Sequence, residues 1–297
     1  VALVVLSGAV ALASPNFLTI ENLFAVGVQT AVVAIIAVGE TLVIIGGHID
    51  LSVGSVLALS GVLAALLMAG GLDPWLASLC GVAAGTACGL MNGLLTTRIR
   101  MPSFVVTLGV MGIARGSALT LSGARNIFGL PPSFKVLAAG GILGLPLPII
   151  IVAAVAAAAH ILLARSSFGR AAYAIGGNLE AARLSGINVG GIVTGLFVIC
   201  GFLSGLAGIV LTSRLTIGQP TAAQGYELDA IAAAVIGGAS LMGGQGSISG
   251  AIVGALIMAV LRNACDLLNV PIYWQQIAIG AVIIAAVAYD HLRRPSG

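Results

Sequence analysis

Apolar residues run in long blocks along this chain, and the polar ones gather in the gaps between them. The blocks fall at roughly 1–13, 24–46, 53–71, 75–96, 103–122, 147–164, 190–213, 229–243, 247–263 and 274–290. A helix crossing a hydrocarbon layer about 30 Å thick needs about 20 apolar residues. The pattern therefore predicts about ten membrane-spanning helices. The breaks have their own chemistry. Ser14-Pro15-Asn16 ends the first block, and Asp73-Pro74 turns the third into the fourth. Arg98-Ile99-Arg100-Met101-Pro102 separates the fourth from the fifth, and Pro146 and Pro148 open the sixth. The run Val1–Ala13 reads as the end of a first span whose start precedes Val1.

Two intervening segments are long enough to do more than connect. Residues 123–146 are rich in Gly, Pro and Leu; residues 165–189 read RSSFGRAAYAIGGNLEAARLSGINV. In the second, Asn178 can cap a helix, Glu180 falls in its first turn and Gly186 can end it. That predicts a helix over Leu179 to Ser185, too short to persist alone in water and so in need of a surface or a partner. Basic residues give an orientation. With ten spans, Arg98, Arg100, Arg165, Arg170, Arg183, Arg293 and Arg294 fall on one side together with both termini, and Arg125, Lys135, Arg214 and Arg262 on the other. The richer side is expected to be cytoplasmic, which places 165–189 inside and 123–146 outside.

Composition strengthens the picture. Of 297 residues, 59% are hydrophobic and 7% charged, against about 25% charged in a soluble domain; mean hydropathy is +1.17. Soluble globular and disordered classes are excluded, leaving an all-α polytopic membrane bundle, a single transmembrane domain over 1–297. The net charge of +3 comes from scattered residues, not from the basic stripe of a nucleic-acid surface. Cys80, Cys88, Cys200 and Cys265 show no metal-ligand spacing, and no metal or cofactor is expected in the chain. Gly81, Gly85, Gly89 and Gly93 recur every four residues, as do Gly246, Gly250 and Gly254, with one further step from Gly201 to Gly205. On a helix each series is a groove for a neighbouring backbone. A weak internal repeat sets Ile45-Gly46-Gly47, ahead of Asp50-Leu51-Ser52, beside Ile236-Gly237-Gly238, ahead of the glycine-rich 240–247. In this topology both lie on one side of the membrane, as in a parallel repeat.

Ionisable residues in or beside the apolar blocks are Glu40, His48, Asp50, Arg115, His160, Glu227 and Asp229. Charge at bilayer depth is costly and often functional. Asp50 also reads as a cap for the following helix, and Glu227 and Asp229 as the acidic start of the eighth span. His160 lies near a span's end, within reach of the interface. Glu40 falls well inside a span and must face a cavity, pair or carry a proton. The chain has no G-x-x-x-x-G-K-[ST] phosphate loop, no H-E-x-x-H, no series of spaced arginines and no T-V-G-Y-G filter. A bundle with a docking helix and no nucleotide site suggests a transporter subunit energised by another polypeptide, not an enzyme.

Several segments carry a resemblance. Ser14-Pro15-Asn16-Phe17, Thr41-Leu42-Val43-Ile44 and Ile49-Asp50-Leu51-Ser52-Val53-Gly54-Ser55 resemble the permeases of ribose-type ABC sugar importers. So do Gly176-Gly177-Asn178 with Ala181 to Val189, and Gln219-Pro220-Thr221 with Gly225 to Ala233. The resemblance implies the large-importer type of ABC permease fold, working as a homodimer or pseudo-dimer by alternating access. It implies ATP-binding subunits that hold ATP and Mg, and a periplasmic sugar-binding protein. It assigns coupling to the ATPase to Asn178, Glu180, Ala181, Ala182, Arg183, Ser185 and Gly186, and places the chain in the bacterial inner membrane. Glu40, His48, Asp50, Ser52, Glu227 and Asp229 become the candidates for the translocation path or gate. Two of them depart from the family's usual residues: Gly is usual at His48 and an uncharged residue such as Met at Glu40. On an ideal continuous helix these two lie within about 80° of each other and about 12 Å apart along the axis, so pairing would need a bend at Gly46-Gly47. Gln219–Asp229 reads as an outer docking face, a gate or a simple turn. The alternative class is a secondary transporter coupling protons through Glu40 and Asp50; a pore is a third reading.

Overall fold

The computed structural model describes residues 2–142 and 144–293. Val1 and Arg294, both used in the topology above, lie outside the described residues. Each predicted block carries a helix, with one change of length. In chain order they are α1 (Ala2–Ala13), α2 (Ile20–Ile45), α3 (Val53–Ala69), α4 (Pro74–Thr97), α5 (Ser103–Ser122) and a four-residue α6 (Val136–Ala139). Then come α7 (Leu147–Arg165), α8 (Ser167–Gly177), α9 (Leu179–Leu184), α10 (Val189–Leu215), α11 (Tyr226–Ile236), α12 (Ile248–Leu267) and α13 (Ile272–Arg293). The only sheet among the described residues is a two-residue-per-strand hairpin pairing Gly141–Ile142 with Leu145–Pro146. Helices α2, α4, α5, α7, α10 and α12 are long and apolar enough to cross a membrane. The chain is a multi-pass membrane protein.

The expected span at 229–243 is corrected. Its helix starts three residues earlier, at Tyr226, and ends at Ile236 after 11 residues, about 17 Å of rise. That is too short for a hydrocarbon layer of about 30 Å. Gly237-Gly238 ends it, with Gly238 at φ 92°. The same device closes α2, where Gly47 sits at φ 79°. In both places three successive N–H groups turn back onto the last helical turn: Gly46, Gly47 and His48 onto Leu42, Ile44 and Val43, and Gly237, Gly238 and Ala239 onto Ala233, Val235 and Ala234. These are Schellman-type ends that need a left-handed residue. They meet at one end of the bundle, where the Gly244 N–H donates to the Ile45 carbonyl at 2.9 Å. The repeat read from the sequence thus corresponds to one local geometry used twice on the same side.

α2 is the buried centre, with every side chain from Ala34 to Ile45 out of contact with the surroundings. It packs with α10, α11 and α12, while α10 also lies along α3 and α4. The glycine series on α4 forms the predicted groove for neighbouring backbones, with Gly85, Gly89 and Gly93 against α10 and Gly81 against the Ser60 carbonyl of α3. A Cβ built at Gly85 would stand 2.7 Å from the Gly201 carbonyl oxygen and 2.8 Å from the Gly205 Cα. Gly250 and Gly254 face the Gly237 and Ala233 carbonyls of α11. Small residues bring the backbones together because aliphatic tails outside offer no hydrophobic gain for packing helices.

Candidate functional site

The polar centre of the bundle forms where α2 stops and the chain doubles back. After Gly46-Gly47 the segment 48–52 turns into the bundle before α3 begins at Val53. This return brings Asp50 beside Glu40, ten residues earlier: the Asp50 N–H donates to Glu40 Oε1 at 3.1 Å. Asp50 Oδ1 accepts from the Ser52 N–H at 2.9 Å and from the Ser52 hydroxyl at 2.6 Å. Asn92 of α4 donates from Nδ2 to Asp50 Oδ2 at 3.2 Å and to Ser52 Oγ at 2.9 Å. The Cys200 thiol of α10 completes the shell. Glu40 and Asp50 are 0% and 1% exposed. Neither carboxylate has an ion-pair partner among the described residues, and Glu40 Oε2 and Asn92 Oδ1 have no hydrogen-bond partner. Asp50 therefore does not cap α3 directly. It orders Ser52, which stands at the N-cap position without a side-chain cap bond of its own.

A second irregular segment meets the first from the opposite end. Beyond α10 the chain turns at Thr216, φ 58°, pairs Gly218 with Ile127, and runs back into the bundle to start α11 at Tyr226. Arg115 of α5 holds this return, with Nη1 donating to the Pro220 carbonyl at 2.7 Å and to the Ala222 carbonyl at 2.8 Å. Gly54, in the first turn of α3, lies directly under it. A Cβ there would strike Glu227 Oε2 and stand 2.6 Å from the Ala223 carbonyl oxygen. The Gln219–Asp229 segment thus packs on the first turn of α3, just after the Asp50 return. Irregular backbone at membrane depth is tolerated where it is buried in protein or lines a cavity. The first return meets that condition at Asp50 and Ser52, and the second at Gly218, Pro220 and Ala223.

The six path candidates separate into four places. Glu40, Asp50 and Ser52 form the buried network. Glu227 abuts Gly54. Asp229, 2% exposed, is ion-paired with Arg262 of α12, whose guanidinium also lies over the Tyr226 ring at 5.8 Å from its centroid. His48 does not pair with Glu40. It points to a separate cleft at the α9 end, with its ring 5.8 Å from that of Phe197. Asn92 and Cys200 were not singled out from the sequence, and neither is signalled there: they lie 42 and 150 residues from Asp50. Arg115 was singled out only as an ionisable residue. His160 is exposed on α7.

The loop 165–189 contains two helices instead of one. α8 spans Ser167–Gly177, capped by Ser166 through a 3.1 Å bond from the Gly169 N–H. It buries Gly169, Ala172 and Ile175 on one face. Its sequence, SFGRAAYAIGG, carries that stripe at helical spacing. α9 follows at once. The Asn178 carboxamide caps it with Oδ1 accepting from the Ala181 N–H at 2.9 Å, and Gly186 at φ 78° ends it. Of the predicted coupling residues, only Ala182 is buried. Glu180, Ala181, Arg183, Ser185 and Gly186 face out, with Leu184 83% exposed. Glu180 and Arg183 pair at 3.7 Å on this outer face.

Comparison with known proteins agrees with this architecture. The family described as branched-chain amino acid transport system / permease component matches residues 22–287. The ribose import permease protein of Haemophilus influenzae is 43% identical over 295 residues, covering 98% of this chain and 91% of that protein. The D-allose transport system permease protein of Escherichia coli K12 is 42% identical, covering 93% of this chain and 85% of its own length. The L-arabinose ABC transporter permease protein of Azospirillum brasilense is 39% identical, covering 98% and 86%. No solved structure matches.

Proposed function

The chain belongs to the family of ABC-importer permease components, and on that premise we propose that it is the membrane-spanning subunit of an ATP-driven importer of a monosaccharide, ribose or another pentose. It is a transport subunit; ATP and Mg are bound and ATP is hydrolysed in a separate ATP-binding subunit. A periplasmic sugar-binding protein delivers the substrate, and a second copy of this chain completes the pathway as a homodimer. The end bearing α8 and α9 faces the cytoplasm of a bacterial inner membrane, with both termini on that side.

The observation that carries this reading is α9. Six residues cannot hold a helix in water without help. Here the Asn178 cap, the Gly186 end and one buried alanine hold it, while its remaining surface is offered outward. That is the form of a helix whose missing contacts come from a partner. Arg100 and Arg183 lie at the same end, in keeping with basic residues on the cytoplasmic side. Lys135 and Arg214 lie at the other, where Ser213 donates to the Phe134 carbonyl at 2.7 Å.

In mechanism, closure of the ATP-binding subunits would push α9. α9 follows α8 across the single extended residue Asn178, and Gly176 and Gly177 of α8 touch Gly47, Gly243 and Gly244. The push therefore reaches the Gly46-Gly47 end that launches the Asp50 return and the Gly243-Gly244 turn of the α11–α12 connection. The names of the relatives support the sugar class: ribose, D-allose and L-arabinose are all aldoses. The test is ATPase activity of the reconstituted assembly with ribose-loaded binding protein. Loaded binding protein should change turnover, and Arg183→Glu should abolish that response while leaving basal hydrolysis by the ATP-binding subunit. A chain that neither binds nor alters an ATPase would sink the reading.

A further inference from the structure

Beside α9 lies a cleft of ≈ 350 Å³ that has no part in the Asp50 network. Arg100, just beyond α4, and Arg183, on α9, stand among its walls, with Thr96, Thr97, His48 and Gly190 between them. No carboxylate lines it. Glu180, outside the lining, reaches Arg183 at 3.7 Å from a position 73% exposed, where pairing contributes little.

Two further features point the same way. Gly190 lies in the first turn of α10, a 27-residue helix, and its N–H makes no hydrogen bond among the described residues. The start of such a helix favours negative charge. Arg100 is held at φ 62°, a conformation uncommon for a residue with a side chain and retained where the surroundings fix it. Two guanidinium groups, an unpaired N–H and no carboxylate in the lining form a complement to an oxyanion with several acceptor oxygens. Guanidinium forks match phosphate in particular. The volume lies at the lower end of small-molecule pockets, about 300–1,000 Å³, which leaves room for a small body behind the anionic group.

We propose that this cleft is a binding site for a phosphate group, carried either by a small soluble phosphate ester or by the headgroup of an anionic lipid. An occupant bridging Arg100 and Arg183 ties α9 to the α4–α5 junction, so its release or capture alters how freely α9 moves. The site itself does not depend on α9 acting on an ATPase, and the test uses this chain alone.

The purified chain is placed in nanodiscs of phosphatidylcholine. Its melting midpoint is followed against inorganic phosphate, a pentose 5-phosphate and the unphosphorylated pentose. A second arm adds phosphatidylglycerol and identifies retained lipid by native mass spectrometry. Saturable stabilisation by the pentose phosphate, absent with the pentose, assigns the soluble ligand; selective retention of phosphatidylglycerol assigns the lipid. In either case Arg100→Gln and Arg183→Gln should each weaken binding by about tenfold or more, and Arg165→Gln, at the same end but outside the cleft, should leave it unchanged. Absence of binding in both arms overturns the proposal. So does an equal loss in Arg165→Gln, which would reduce the effect to diffuse surface charge.

Discussion

Asp50 is a carboxylate fully withdrawn from water in a chain with few charges, and its donors decide what it tolerates. Ser52 supplies two of them from within the same turn; Asn92 supplies its amide from another helix. Asn92→Leu should lower stability by about 2–3 kcal/mol, because a buried charged acceptor loses a partner. Thermal unfolding in detergent reads this directly, and an unchanged midpoint would mean that the amide contributes nothing to Asp50. Glu40 offers a finer comparison. Its Oε1 accepts the Asp50 N–H, which Gln can also do and Met cannot. Glu40→Gln should cost little, while Glu40→Met strands a buried N–H at about 1–3 kcal/mol. Uptake assays on Glu40→Met and His48→Gly then separate stability from choice of sugar. A shift in relative uptake of ribose and arabinose in a variant that still folds places that residue on the path; unchanged selectivity and rate in both removes them from it.

At the scale of elements, short stretches of coil carry as much of the architecture as the helices. Arg115 makes two hydrogen bonds to backbone carbonyls of the 216–225 return, so Arg115→Met should free that return while leaving the helices formed. Hydrogen exchange at the amides of 221–225 should rise by about tenfold or more; equal protection in both proteins would show that packing alone holds the segment. The pair Asp229–Arg262 ties the start of α11 to α12. Removing one partner leaves an uncompensated charge, at about 3–5 kcal/mol, whereas replacing both with apolar residues should recover most of the loss. A double-mutant cycle with Asp229→Leu and Arg262→Met measures that difference.

The same scale shows what a sequence reveals of such a fold. Helix positions were legible because apolar blocks end at Pro, Gly pairs and Arg, and the Gly81–Gly93 series gave its own groove. The Asn178 cap and the Gly186 stop were legible because capping is local. The length of α11 was misjudged because apolar residues continue past Gly237, and only the left-handed turn at Gly238 ends the helix. The joining of Glu40 to Asp50, and of both to Asn92, was hidden for a different reason. It depends on the chain reversing direction inside the bundle, and hydropathy records depth, not direction.

For the whole molecule, the two Gly-Gly ends and α8–α9 sit together at one end, while the Arg115-held return sits toward the other. Gly243 and Gly244 pack against Gly176 and Gly177 with almost no side chain between the backbones. Close-packed contacts of this kind transmit displacement instead of absorbing it. Movement of α9 should therefore be felt at Gly47 and at the segment leading to Asp50. This makes the exposure of α9 a measurable property of the assembled transporter. Leu184→Cys, in a background with the four native cysteines replaced, places a thiol on the most outward residue of α9. A membrane-impermeant maleimide should label it in inside-out vesicles and leave it unlabelled in right-side-out vesicles. Adding the ATP-binding subunit should slow the labelling, and a nucleotide that closes that subunit should change the rate again. Labelling from the opposite side would reverse the topology. Labelling indifferent to the ATP-binding subunit would leave α9 a surface helix and move the coupling contact elsewhere on the same end of the bundle.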